Sequence, residues 1–160
     1  MTRTVLLVLA LLLLVALPAH AEPRLTPVTE VGLARALIAS HRDVFGKRVP
    51  GHRLAVAWAQ VALETGRGKR VKGNDLGNVG GRLIAYKTPR EGAAAYWRVV
   101  AKCKPALGYF DVGDARGAAE QLGRCGYFRA DPSTYAAGMA SLREDFNRRI
   151  WAKVKAKLGH

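Results

Sequence analysis

The chain has 160 residues, with 26 Lys and Arg against 12 Asp and Glu, a formal net charge of +14, two cysteines and four histidines. A chain of this size holds one domain around one core. The histidines show no metal-ligand spacing, and the dispersed basic residues form no aromatic-and-basic nucleic-acid motif. No metal, cofactor or nucleic acid is therefore expected. The positive charge favours an anionic envelope surface, or serves solubility alone. Arg3, the unbroken apolar run over residues 5–17 and the Ala19-His20-Ala21 ending read as a secretory signal peptide over residues 1–21, cut before Glu22. The run is too short for a membrane span of about 20 residues, and an uncleaved anchor is the alternative. Residues 22–160 are then one domain, periplasmic or secreted, expected as a monomer.

A short polar leader, residues 22–27, precedes an amphipathic helix over residues 28–45, in which Val31, Leu33, Ala34, Leu37, Ile38 and Val44 share a face. After a turn at residues 46–51, Leu54, Ala57, Trp58, Val61 and Ala62 recur at helical spacing. Val56, Ala59 and Leu63 fill much of the remaining circumference, which marks a helix inside the domain. Glu64 stands in its last turn, the only acid between Asp43 and Asp75, and Gly66 and Gly68 stop it. A lone carboxyl at the end of a buried helix has its pKa raised by desolvation, which suits a general acid. The alternative is a buried ion pair with Arg67 or Arg70.

Six glycines between Gly66 and Gly81 exclude a helix there and predict a loop, with a short hairpin through residues 83–86. Thr88, Pro89 and Glu91 form a capping box opening a helix to about Cys103, so Glu91 is assigned to capping. Residues 104–112 read as a connector. Asp114 caps a helix over residues 115–124, and Asp131-Pro132 opens the last helical region, which runs to Lys157 with a break expected near Leu142. The basic tail, residues 148–157, reads as a solvated helix packed by one face, with a membrane-surface role as the alternative. In an exported protein the isolated Cys103 and Cys125 pair as a disulfide.

Four ordered segments carry a resemblance. Residues 62–68, Ala-Leu-Glu-Thr-Gly-Arg-Gly, resemble the A-x-E-[ST]-G-x-G signature of the glucosaminidase family of peptidoglycan hydrolases, which includes flagellar muramidases and bacterial autolysins. Residues 74–81, Asn-Asp-Leu-Gly-Asn-Val-Gly-Gly, are similar to its N-N-L-F-G-I-K-G, and residues 86–92 to its Y-x-s-x-x-e-s lead into the next helix. Residues 126–135, Gly-Tyr-Phe-Arg-Ala-Asp-Pro-Ser-Thr-Tyr, resemble G-Y-A-T-D-P-x-Y. The resemblance covers roughly residues 33–149. It implies a lysozyme-like α+β single domain, mainly α, with a small glycine-rich loop or β-hairpin lobe. It also implies cleavage of β-1,4 bonds in peptidoglycan or a related N-acetylated glycan, of the endo-β-N-acetylglucosaminidase type. Glu64 takes the place of the general acid and Tyr127 that of the active-site tyrosine, while Tyr135 is given a structural role. The chain departs from the pattern at Lys69, where the family often has Ser. It departs again at Asp75, Gly77 and Asn78, which stand for the second Asn, the Phe and the Gly, removing an aromatic that lines the substrate.

Glycoside hydrolysis needs a second group, a nucleophile or a base for water. Asp75 is the candidate, ahead of Glu91, with a turn-forming role as its alternative. A buried tyrosine beside the disulfide is the alternative for Tyr127. Gln60, Asn74 and Asn78 offer amides to N-acetyl groups, with Tyr86 as a further substrate contact. Gln60 also stands one turn before Glu64, where it can orient the acid. Trp58 and Trp97 are assigned to the core. The other functional readings are a lytic transglycosylase, although no G-L-M-Q-like segment follows Glu64, and a non-catalytic wall-binding module.

Overall fold

The computed structural model describes residues 22–79 and 84–158. The expected signal peptide, part of the expected hairpin and His160 lie outside these residues. The described chain is mainly helical: α1 (Glu30–Phe45), α2 (Gly51–Thr65), α3 (Pro89–Lys102), α4 (Lys104–Val112), α5 (Ala115–Arg124), α6 (Pro132–Asp145), a π-helical turn (Phe146–Ile150) and α7 (Trp151–Leu158). None of the described helices is long and apolar enough to cross a membrane. Extended pairing among the described residues is limited to isolated bridges, Leu25 with Lys72 and Lys72 with Asp75. Of the expected hairpin, the described residues 84–86 carry no strand.

Helix α2 is the axis of the body. Every side chain from Arg53 to Ala62 is buried, because α1, α4 and α6 pack against different sides of it. Trp58 and Trp97 are both fully buried, and each spends its indole N–H on a backbone carbonyl, Glu30 at 2.9 Å and Leu37 at 3.0 Å. These bonds remove the cost of burying the polar end of each ring.

Local signals fix most helix ends. The Thr88 hydroxyl accepts from Glu91 N, and the Glu91 carboxylate reaches back to Lys87 N. Asp114 and Asp131 cap α5 and α6 in the same way. One expectation needs correction. Residues 104–112 are a helix and not a connector: Ala106 and Phe110, four residues apart, are buried on one face, and left-handed Gly113 ends it. The last helical region breaks in a π turn, where Phe146 and Ile150 are both buried and Arg149 pairs with Asp145.

Residues 22–27, expected as a plain leader, are pinned along the loop that follows α2 together with Val28 and Thr29, which were expected in the first helix but precede its start at Glu30. Thr26 N donates to Val71 O at 2.8 Å, Val28 N to Gly68 O at 3.0 Å, and Gly73 N to Arg24 O at 2.9 Å. Cys103 and Cys125 are joined, tying the end of α3 to the end of α5. With the two cysteines 22 positions apart in sequence, replacing both by Ser should cost about 3 kcal/mol. A urea unfolding curve reads that loss, and an unchanged midpoint would contradict it.

Candidate active site

The last turn of α2 and the residues that follow it carry the site, and each residue of Glu-Thr-Gly-Arg-Gly has a physical task. The Thr65 hydroxyl donates to Val61 O at 2.6 Å and accepts from Gly68 N at 3.0 Å, closing the last turn. Gly66 is left-handed, φ 55°, as a helix C-cap requires. Gly68 has φ +86°, and a Cβ there would lie 2.0 Å from Val28 O, so only glycine lets the leader strap close on the loop. Glu64 is thereby held on a rigid final turn whose next residues cannot wander.

Glu64 is half-buried, and its pKa is raised. Burial is the largest cause; nearby Asp75 adds to it, while hydrogen bonds from Tyr135 and Asn78 work in the opposite direction. The Tyr135 hydroxyl donates to Glu64 Oε1 at 2.6 Å. Among the described residues Glu64 has no ion pair. The neighbouring Arg67 is taken by Glu30 at 2.8 Å and Asp145 at 2.5 Å, a cluster that also holds Arg149. The ion-pair alternative for Glu64 is therefore not the arrangement found. That four-charge cluster explains why an arginine three residues from the acid leaves its proton alone.

Behind the acid runs a buried relay. The Tyr96 hydroxyl donates to Gln60 Oε1 at 2.8 Å. Gln60 is fully buried, and its Nε2 has no well-aligned partner among the described residues, yet it lies close enough to Tyr135 to favour the tyrosinate. Burial and the Glu64 carboxyl outweigh this and keep the Tyr135 hydroxyl protonated, so it remains a donor. Gln60 thus sits behind the acid and not on a sugar. Tyr135, assigned a structural role from the sequence, touches the acid directly. Its position follows from local chemistry: Asp131 caps α6, Pro132 takes the first turn, and Phe128 stacks on the Tyr135 ring at 3.7 Å. A tyrosine just inside a capped helix was the available signal. Tyr135→Phe should raise the Glu64 pKa further, because it removes a hydrogen bond that favours the carboxylate. Carboxyl NMR titration reads the shift, and an unmoved or lowered midpoint would contradict it.

Glu64 opens on a cleft of about 1120 Å³, shared with Thr65, Asp75, Asn78, Ile84, Arg70, Lys72, Arg129 and the leader residues Glu22 and Pro23. Asp75 is largely buried at its edge, and its Oδ1 accepts from Val79 N at 3.1 Å. Asn78, left-handed at φ 51°, is exposed in the cleft. The Asn74 amide nitrogen donates one N–H to Tyr86 O at 2.8 Å. Tyr86 is half-buried, with its backbone tied to Asn74 and Gly73, and it does not line the cleft. Tyr127 braces the loop: its hydroxyl donates to Gly77 O at 2.8 Å. Gly77 stands where the resemblance has Phe, and a Cβ there would come within 2.6 Å of the Tyr96 ring and 3.0 Å of the Tyr127 hydroxyl. The space of a larger side chain is already occupied by two tyrosines. No metal-holding group of His, Cys, Asp or Glu occurs among the described residues.

No protein-family model, curated protein or solved structure matches this chain. The geometry of the cleft therefore carries the functional reading. Lys72, Arg129 and the leader residues in its lining were not singled out from the sequence, because they are contributed by segments that meet only in the folded chain.

Proposed function

We propose that this protein is an exported glycoside hydrolase that cuts β-1,4 bonds of peptidoglycan or a related N-acetylated glycan, with Glu64 as general acid. The observation that carries the reading is a carboxyl biased toward its neutral form, held by Tyr135, free of any cationic partner among the described residues, and open to a cleft of about 1120 Å³. Glu64 gives its proton to the glycosidic oxygen as the C1–O bond breaks and the bonding pair moves to that oxygen. Water then attacks C1 and gives up a proton to a base, for which the cleft carboxyl of Asp75 is the candidate. Asn78 offers its amide to an N-acetyl group, while Tyr127 and Gln60 position the loop and the acid. A lysozyme-like arrangement, with the glycine-rich segment facing the helical body, belongs to the same proposal. The signal sequence and the disulfide both suit an oxidising compartment outside the cytoplasm.

A second reading, a lytic transglycosylase, is favoured by one feature: Asp75 already accepts a backbone N–H, which suits a mechanism needing a single acid. There the C6 hydroxyl of the same sugar attacks C1, and an anhydro end forms without uptake of water. Incubating the chain from Glu22 with purified peptidoglycan and weighing the products separates the two. A hydrolase leaves a reducing end, a transglycosylase leaves fragments lighter by one water, and no released fragments would leave only wall binding.

A further inference from the structure

Three cations line the cleft that holds Glu64: Arg70, Lys72 and Arg129. Lys72 faces Glu22 at 3.6 Å, which offsets its charge. Arg70 and Arg129 have no acidic partner within ion-pair distance among the described residues. The stretches of chain that carry them are nonetheless set in place. The Arg70 guanidinium lies over Gly66, where a Cβ would come within 2.8 Å of its Nε, so the glycine that caps α2 also makes the seat for this arginine. Arg70 N donates to Thr65 O at 2.8 Å, fixing its backbone one turn from the acid. Arg129 comes from a different segment. It follows Tyr127, which is bonded to Gly77, and Phe128, which is stacked on Tyr135. The two guanidinium groups thus reach one cleft from separate, anchored stretches of chain.

Guanidinium groups pair with carboxylates through two parallel charge-assisted hydrogen bonds, and they carry no acceptor with which to satisfy a neutral sugar hydroxyl's proton. A cleft built only for neutral N-acetylated sugars has no need of them. Resting on the glycan reading above, we infer that Arg70 and Arg129 form a carboxylate-binding subsite, so that the accepted glycan bears a carboxylate near the bond presented to Glu64. The carboxylate belongs either to the sugar, as a lactyl ether, or to a peptide attached to it.

The test measures binding, so that it does not depend on turnover. Calorimetric titration compares three ligands of equal chain length: a neutral N-acetylglucosamine tetrasaccharide, the same backbone with lactyl carboxylates on alternate sugars, and that chain with peptides attached. Wild type should bind an acidic chain at least about tenfold more tightly than the neutral one, as expected for hydrogen bonds to a charged group. Arg70→Gln with Arg129→Gln should remove the preference while leaving the neutral affinity unchanged, with circular dichroism verifying the fold. A preference already present with lactyl groups assigns the carboxylate to the sugar, and one that needs the peptide assigns it to the peptide. Equal binding of neutral and acidic chains, no binding of any chain, or a preference that survives the double substitution would each overturn the inference. Binding with the expected preference but without any cleavage would sink the hydrolase reading alone.

Discussion

Glu64→Gln should lower peptidoglycan cleavage about a thousandfold, the scale of a lost general acid, and should leave the fold intact. Glutamine keeps the shape, still accepts from Tyr135, and cannot donate a proton to a glycosidic oxygen. Stability moves the other way. The folded-state pKa of Glu64 lies above its ordinary value, so its contribution to stability is present below that value and is lost as pH rises through the raised one. At neutral pH the carboxyl is a burden on the fold, and the variant should melt no lower than wild type. Activity assays and thermal melts at pH 7 check both halves. Retained full activity would remove the acid assignment, and a large drop in melting temperature would show that the carboxylate is a structural anchor.

The second large effect is on the architecture that presents the site. In Gly92→Ala the new Cβ would lie 1.8 Å from Asn74 O, a backbone atom with no flexible side chain to give way. Asn74 precedes Asp75 and is tied to Tyr86 and Thr26, so α3 and the loop must separate. The expected cost is about 3 kcal/mol, together with a displaced Asp75 and reduced turnover. Urea unfolding and the cleavage assay measure the two effects, and a variant as stable and as active as wild type would show that the close approach is not needed.

Much of the helical body is legible in the sequence because its causes are local. Thr88, Asp114 and Asp131 are followed by the residues whose N–H groups they cap, and Gly66 marks where α2 must end. The spacing of Leu54, Trp58 and Val61 identifies a helix with apolar neighbours on several sides before any neighbour is known. Helix α4 escapes such a reading because Gly108 in its middle weakens the local preference, and the burial of Ala106 and Phe110 supplies what propensity does not. In the candidate site Glu64 stands out by contrast, a single acid on an apolar helix. Its partners do not, because Tyr135 is 71 residues away in sequence and the helix that brings it to Glu64 is placed by packing. Arg67 looks like a natural counterion from its position alone. Only the folded arrangement gives it to Glu30 and Asp145, which leaves Glu64 without it as a counterion.

That proton can be followed directly by carbon NMR of the glutamate side-chain carboxyls, with Glu64→Gln identifying the resonance. The midpoint for Glu64 should lie clearly above the ordinary glutamate value of 4.5, and higher again in Tyr135→Phe. A midpoint at or below 4.5 would mean that a cation or donor network holds the carboxylate ionised, and Glu64 would then be no general acid near neutral pH.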